Sequence, residues 1–266
     1  MKALVKDGAE LGVREARRPE PGPGQVLVRV AVAAVCRTDL YAAEGRIPSL
    51  ERVILGHELS GVVAACGRGA ALPEGTRVAV MPVLPCGACA LCRDGRGAWC
   101  PRRQLLGVDR DGAFAEYVAV PAGAVHPLPA DLPFELAAYA EPVAASLAIL
   151  KAGMLEDDRG VLYGDNRISR LNERVLAAHG VRDVTVHAPG ASPPLEDNAY
   201  DFAVESLATP AAAAALARAV RPGGVIVLRS RWRERLSIPL AAAVEKELRF
   251  HAVHYGPFED AVRLVA

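Results

Sequence analysis

Short apolar runs separated by Pro and Gly dominate the first half of the chain. Runs at residues 26–32, 61–65, 77–80 and 116–120 predict strands, because they are short and rich in β-branched or aromatic residues. Turn sequences such as Pro-Gly-Pro-Gly at 21–24 lie between them. This half is therefore predicted to form a small β-barrel-like domain.

The second half alternates between strand and helix patterns. An Ala/Leu-rich stretch at residues 134–152 predicts a helix that connects two domains. After it, strands are predicted at 160–163, 183–186, 200–204 and 225–228, and helices at 170–179, at 210–220 and from Phe258. Alternation of this kind is typical of a parallel α/β sheet.

Composition narrows the class of protein. The 266 residues are enough for two modest domains, and 52% apolar with 23% charged residues is typical of a globular protein with a full core. A formal net charge of zero disfavours nucleic acid or an anionic membrane as the main partner. No signal peptide and no run of ~18 apolar residues is visible. We therefore expect a cytoplasmic protein whose cysteines stay reduced and available to metals.

Four cysteines lie close together in the sequence. Cys86, Cys89, Cys92 and Cys100 have the spacing C-x2-C-x2-C-x7-C, which lets a short knuckle and a returning loop surround one ion. Four thiolates leave no position for substrate, so the spacing predicts a structural zinc ion. Two disulfides or four unrelated thiols are the alternatives, and a reducing compartment disfavours both.

Two further segments carry candidate chemistry at the ends of predicted strands. Cys36 lies in a predicted loop at 34–41, and His57 and Glu58 lie in one at 55–61. These three residues could supply S, N and O ligands to a second metal. Taken singly, Cys36 could instead be a core cysteine and His57 a turn histidine. Cys66 has no partner at ligand spacing and is interpreted as a structural or surface-loop thiol.

Several motifs together resemble one family. Cys-Arg-Thr-Asp at 36–39, Gly-His-Glu at 56–58, the four-cysteine lobe and Ala-Glu-Pro at 140–142 are similar to those of the zinc-dependent alcohol dehydrogenases of the medium-chain dehydrogenase/reductase family. The polyol and threonine dehydrogenase branch is the most similar. The resemblance covers roughly the first 150 residues. It implies a GroES-like catalytic zinc domain at 1–150, with the structural zinc lobe at 85–101.

The resemblance also implies a catalytic zinc ion, and so two zinc ions per chain. Cys36 and His57 would be ligands, and either Glu58 or Glu141 would complete the shell, leaving one position for water or substrate. One thiolate, one imidazole and one carboxylate make zinc close to neutral and still Lewis acidic. Two direct carboxylates would weaken that acidity, so we expect Glu58 and Glu141 to alternate or one to stay outside the shell.

Three neighbouring residues receive roles by the same resemblance. Thr38 would hydrogen-bond the substrate alcohol and start proton removal, and Asp39 would orient ligands. Tyr41 stands where the family often has a histidine that passes the proton to solvent. With a reference pKa of ~10, tyrosine relays protons less readily near neutrality. That Tyr41 only packs is the alternative.

In the family, the second half binds a nicotinamide dinucleotide, and here its fingerprint G-x-G-x-x-G is degenerate. Residues 164–169 read Gly-Asp-Asn-Arg-Ile-Ser, so only Gly164 remains. Asn166 stands where the backbone must approach phosphate, and Asp165 adds negative charge there. Arg167 could offset that charge, and the helix N-terminus could still attract phosphate. The predicted cofactor, NAD or NADP, therefore has weak candidate contacts at Gly164 and Arg167.

Other features of this half also depart from the family. His187 follows the second predicted strand, where a ribose-binding acid is expected, and it is either a ribose or 2′-phosphate contact or an exposed loop histidine. Residues 189–198 are short where the family has a further helix and strand, and the chain ends in a helix where the family continues. We therefore predict a shortened Rossmann-like domain at 151–266.

Three functions from different classes follow. The first is a zinc-dependent oxidoreductase that interconverts a secondary alcohol or polyol and its ketone with NAD(P). It would act on a small molecule, and a homodimer is the expected assembly. The second is a zinc Lewis-acid lyase, hydratase or isomerase without nicotinamide, with Glu58 or Glu141 as general base. The third is a non-catalytic scaffold. The retained Cys36, Thr38, His57 and Glu58 disfavour the third.

Overall fold

The computed structural model describes residues 1–230 and 236–266. The chain divides into two compact units, one formed by Met1–Glu141 with Phe258–Ala266 and the other by Pro142–Pro257. The units therefore divide near residue 141, whereas the sequence places the domain boundary at 150. Within the described ranges, no helix is both long and apolar enough to cross a membrane.

The first unit contains two antiparallel sheets and a short ribbon. Its strands are β1 (Lys2–Asp7), β2 (Glu10–Glu15), β3 (Gln25–Ala34), β4 (Arg52–Ile54), β5 (Glu58–Cys66), β6 (Arg77–Val80), β7 (Val83–Leu84), β8 (Gln104–Leu105), β9 (Tyr117–Pro121) and β10 (Val125–Pro127). The larger sheet has the order β10-β6-β5-β3-β9, the smaller has β2-β1-β4, and β7 pairs with β8. Val26, Val28, Val78 and Val120 are fully buried and form the centre of its core. All four strands predicted in this half are present.

The second unit contains one parallel sheet. Its strands are β11 (Gly160–Tyr163), β12 (Val184–His187), β13 (Tyr200–Glu205), β14 (Val220–Leu228) and β15 (Arg249–Ala252). The order is β12-β11-β13-β14-β15, and every pair is parallel. The predicted α/β class with a parallel sheet is confirmed. The order changes direction at β11 and β13, and ligands of such sheets bind beyond the carboxyl ends at that point.

The helices complete both units. They are α1 (Arg37–Ala43), α2 (Ala90–Arg93), α3 (Phe134–Ala138), α4 (Ala140–Leu147), α5 (Arg167–Ala178), α6 (Pro210–Ala219), α7 (Leu240–Glu245) and α8 (Phe258–Val265). Among the described residues, 3-10 turns lie at Gly97–Trp99, Ala122–Ala124 and Ala148–Ala152.

Two local predictions need correction. The segment at 34–41 was expected to be a loop, but α1 begins at Arg37, because the Asp39 carboxylate accepts the Cys36 backbone N–H at 2.8 Å and closes the first turn. The helical stretch at 134–152 is three pieces, since α3 ends before α4 begins and the last turn is 3-10. The sequence also missed the β1–β2 hairpin, α7 and β15.

Candidate functional site

The four cysteines of the predicted structural zinc site meet at one point. Cys89 Sγ lies 3.4 Å from Cys92 Sγ and 3.8 Å from Cys100 Sγ, and Cys86 Sγ lies 3.9 Å from Cys92 Sγ. A bridged pair would be about 2 Å apart, so these thiols are not disulfides. Zinc–sulfur bonds of about 2.3 Å in a tetrahedron place sulfurs about 3.8 Å apart. The donor set therefore fits one zinc ion.

The thiol pKa values agree with a site that needs a cation. A hydrogen bond from the Ala88 backbone N–H lowers the pKa of Cys86 to about 6. Burial, together with the neighbouring sulfurs, raises the pKa of Cys92 to about 11. Without compensating positive charge, only some of these thiols ionise at neutral pH, whereas a metal ion deprotonates its thiol ligands.

The second candidate centre joins the two segments identified from the sequence. One ligand atom each from Cys36, His57 and Glu58 lies within 4.8 Å of the others. His57 and Glu58 are buried, and Cys36 is half-buried. Cys36 follows β3, and His57 precedes β5, so the antiparallel pairing of these strands brings their ends together. Sulfur, imidazole and carboxylate are a donor set that fits a catalytic zinc ion, which keeps a further position for water or substrate.

Asp39 lies beside this centre and forms hydrogen bonds to two of its candidate ligand residues. Its Oδ1 lies 2.9 Å from His57 Nδ1 and accepts the Gly56 backbone N–H at 3.2 Å, while its Oδ2 accepts the Cys36 N–H. A histidine that donates its Nδ1–H to a carboxylate presents Nε2 to a metal. Asp39 thus contacts the histidine and the backbone of Cys36, as the orienting role requires.

The surroundings of His57 are strongly negative. Burial acts to lower the pKa of His57, but hydrogen bonds to Asp39 and Cys36 and the charge of Glu141 raise it well above its usual value. Glu141, at the start of α4, is 9% exposed. It is thus close enough to act electrostatically on His57, while the cluster within 4.8 Å takes its carboxylate from Glu58. A buried group of thiol and carboxylates around one point fits a cation.

The backbone conformation of Gly56 determines where the next residue, His57, lies. Its φ of +98° lies in the region that favours glycine, and a Cβ there would come within 2.7 Å of the Phe114 backbone nitrogen. The Gly-His-Glu sequence is therefore needed for the chain path as well as for its ligands.

Thr38 and Tyr41 both lie on α1. The Thr38 Oγ1 is 3.9 Å from Cys36 Sγ, beside the candidate metal. The Tyr41 ring lies beneath the Arg46 guanidinium, 4.1 Å from ring centroid to Cζ. Such a cation–π contact agrees with the alternative that Tyr41 packs, and it involves the ring and not the hydroxyl group.

The residues predicted to contact a dinucleotide lie in the turn between β11 and α5. Gly164 has a φ of +109°, and a Cβ there would come within 2.6 Å of Ser206 Oγ. Arg167 is exposed as the first residue of α5. His187 ends β12, with its ring 5.9 Å from that of Tyr163. Sequence reasoning missed Ser206, which follows β13 and meets this turn only through the parallel pairing of β11 and β13.

Comparison with known proteins gives the same picture. Residues 22–130 match the family model of the alcohol dehydrogenase GroES-like domain. The chain is 35% identical over 194 residues to L-threonine 3-dehydrogenase of Pyrococcus abyssi, covering 71% of this chain and 55% of that protein. It is 37% identical over 186 residues to sorbitol dehydrogenase of Halalkalibacterium halodurans, covering 68% and 54%. The chain thus spans about half the length of these curated relatives.

Solved structures extend the similarity to both units. A putative zinc-binding dehydrogenase from Sinorhizobium meliloti, bound to NADP, superposes with a TM-score of 0.89 at 26% identity. The match covers 100% of this chain and 88% of that one.

These findings define an alcohol dehydrogenase-like protein with a GroES-like domain and a Rossmann-like parallel sheet, as the sequence predicted. Within that class, the chain is a medium-chain dehydrogenase/reductase-like protein, similar to the polyol and threonine dehydrogenases.

Proposed function

We propose that this chain is a zinc-dependent oxidoreductase that interconverts a secondary alcohol or polyol and its ketone, with NAD or NADP as the redox partner. The observation that carries the proposal is the convergence of Cys36, His57 and Glu58 within 4.8 Å, with Asp39 holding His57. A structural role does not require three different donor types around one buried point. The substrate is a small molecule.

The residues divide the work as follows. Cys36 and His57 hold a catalytic zinc ion, and Glu58 or Glu141 completes its shell. When bound, zinc supplies Lewis acidity, which makes an alcohol proton easier to remove. Thr38 orients the alcohol by a hydrogen bond and would accept its proton while passing its own hydroxyl proton on toward solvent.

Tyr41, one turn further along α1, stands where the proton leaves toward solvent. Asp39 keeps the His57 ring in position throughout, because it holds Nδ1.

The remaining proposals concern the frame around this site. Cys86, Cys89, Cys92 and Cys100 hold a structural zinc ion that keeps the lobe at 85–101 folded. A GroES-like catalytic domain at 1–150 precedes a Rossmann-like domain at 151–266. The protein works in the cytoplasm, where its thiols stay reduced, and as a homodimer.

The turn at 164–169 offers few contacts for NAD or NADP. Gly164 and Arg167 are the contacts we assign to this cofactor, while Asn166 holds backbone N–H groups that a phosphate would use. This observation favours a second candidate, a zinc Lewis-acid lyase, hydratase or isomerase that uses Glu58 or Glu141 as general base.

One experiment separates the candidates. The purified protein, loaded with zinc, is incubated with NAD or NADP and a panel of polyols, secondary alcohols and L-threonine, and absorbance at the reduced nicotinamide band is followed. We expect oxidation of at least one substrate and its loss in Cys36→Ser. Failure of every substrate, together with no NADH or NADPH binding at millimolar concentration, would overturn the oxidoreductase. Cys66→Ser is the control, because Cys66 lies outside both cysteine clusters.

A further inference from the structure

The Asn166 side chain fills the N-terminus of α5. Its Oδ1 accepts the backbone N–H groups of Ile168 at 2.9 Å and of Ser169 at 3.2 Å. These are among the N–H groups that a helix N-terminus offers to a phosphate. The Asn166 side chain thus accepts hydrogen bonds that a phosphate would otherwise accept.

A second set of hydrogen bonds holds Asn166 in this position. Its Nδ2 donates to Ser206 Oγ at 2.9 Å, and Ser206 Oγ donates to the Tyr163 carbonyl at 3.0 Å. Ser169 Oγ lies 2.7 Å from Ser206 Oγ and bonds the Gly164 carbonyl. The network therefore joins the carboxyl ends of β11 and β13, at the point where a parallel sheet of this order binds its ligand.

The charges at the turn are partly paired with one another. Arg170 Nε donates to Asp165 Oδ1 at 3.0 Å, so one of the two guanidinium groups at the start of α5 is paired with a carboxylate, while Arg167 is exposed. A phosphate approaching the helix therefore competes chiefly with the Asn166 side chain for the N–H groups of Ile168 and Ser169.

We propose that Asn166 sets the affinity of this turn for a dinucleotide, because its side chain must leave the N–H groups of Ile168 and Ser169 before a phosphate binds them. The inference rests on the proposed function, since it concerns the partner of that reaction. Asn166 is then an affinity-determining residue: removing its side chain tightens binding, and a carboxylate at this position weakens it.

The test measures dissociation constants for NADH and NADPH by calorimetry on the zinc-loaded full chain. Asn166→Gly is expected to bind at least one of them about fivefold more tightly than wild type, because it removes both the cap and the bond to Ser206, which together correspond to about 1 kcal/mol. Asn166→Asp keeps an oxygen that can cap the helix and adds a negative charge, although it loses the Nδ2 donor to Ser206, so we expect weaker binding than wild type.

Melting temperatures of the same variants exclude a merely structural role. Asp caps a helix as well as Asn does, and Gly caps slightly less well. Wild type and Asn166→Asp should therefore have higher melting temperatures than Asn166→Gly. Affinity for the dinucleotide should instead be highest in Asn166→Gly, lower in wild type and lowest in Asn166→Asp. A cap that matters only for folding would make affinity fall with stability.

The matched control is Asn198→Gly, an Asn-to-Gly change at an exposed position with a φ of 54°, in the same unit and away from the turn. It should leave both dissociation constants unchanged. Equal affinity of wild type and Asn166→Gly overturns the inference, even where wild type oxidises alcohols and the proposed function holds. Tighter binding by Asn166→Gly without any alcohol oxidation supports the inference and overturns the function. Absence of binding in every variant overturns both.

Discussion

The candidate zinc centre and the turn at 164–169 both collect polar side chains at the ends of β-strands, yet they treat those side chains in opposite ways. At the zinc centre, thiol, imidazole and carboxylate converge on one point, and this donor set is the one that fits a zinc ion. At the turn, Asn166, Ser169 and Ser206 hydrogen-bond one another and the backbone. Convergence of metal-ligating donors indicates a site prepared for a ligand, whereas hydrogen bonds among the side chains and backbone of the turn indicate that the chain itself occupies the position of the ligand.

The largest effect is expected where the metal holds the fold. Cys89→Ala removes one of four thiolates, so the lobe at 85–101 should lose its zinc and several kcal/mol of stability, since structural zinc supplies about 10 kcal/mol in small domains. Limited proteolysis should then cleave within the lobe. Cys66→Ala, whose thiol donates to the Leu72 carbonyl at 3.1 Å, is the control and should keep the lobe resistant. Resistance of both variants would mean that the lobe folds without metal.

Asp39→Asn tests the support of the candidate catalytic zinc. Asp39 is 2% exposed and holds both His57 and the backbone of Cys36. Loss of its charge should weaken zinc binding by about 10- to 100-fold, as for other residues that orient ligands. Competition with a coloured chelator measures this.

The matched control for Asp39 is Asp94→Asn, an exposed residue of the lobe paired with Arg96 at 2.8 Å. It should leave the affinity of the catalytic zinc unchanged. An Asp39→Asn chain that binds this zinc as tightly as wild type would mean that the ligands hold their own positions.

Ser206→Ala tests the hydrogen-bond network at the turn at 164–169. Ser206 bonds Asn166 Nδ2 and the Tyr163 carbonyl, so its removal should cost about 1–2 kcal/mol in the free energy of unfolding, measured in urea. Ser49→Ala, at an exposed bond to the Leu50 carbonyl, should cost less than ~0.5 kcal/mol. Equal costs for the two variants would show that the network adds little.

Tyr41→Phe should have the smallest effect. The ring keeps its contact with Arg46, so the melting temperature should not change. A weak proton relay through the hydroxyl predicts a fall in kcat of about two- to fivefold, far below the 10²–10⁴ of a strong general acid or base. An unchanged kcat across the pH range would mean that Tyr41 only packs and relays no proton.

The sequence predicted what depends on short spacing. The four cysteines lie within a few residues of one another, so their spacing was enough to indicate a metal, and β11 and β13 followed from compact apolar runs. Helix α1 was missed because its seven residues are too few for a helical period, although Asp39 at its third position is a capping signal.

What the sequence could not supply depends on long-range pairing. Asn166 was recognised as an obstacle to phosphate, but its bond to Ser206 joins residues 40 positions apart. That contact exists only because β11 pairs with β13. The Cys36, His57 and Glu58 cluster likewise needs β3 beside β5. The residue types alone suggested these ligands but left a core cysteine and a turn histidine as alternatives, and the family resemblance favoured the metal.

Zinc content per chain tests the central claim most directly, namely that this chain holds a second zinc centre apart from the four-cysteine lobe. Atomic emission on the purified protein should give two zinc ions per chain in wild type and one in Cys36→Ser, with the lobe of the variant still resistant to protease. One zinc ion in both proteins would contradict the claim, because it would leave Cys36, His57 and Glu58 without the metal that their arrangement implies.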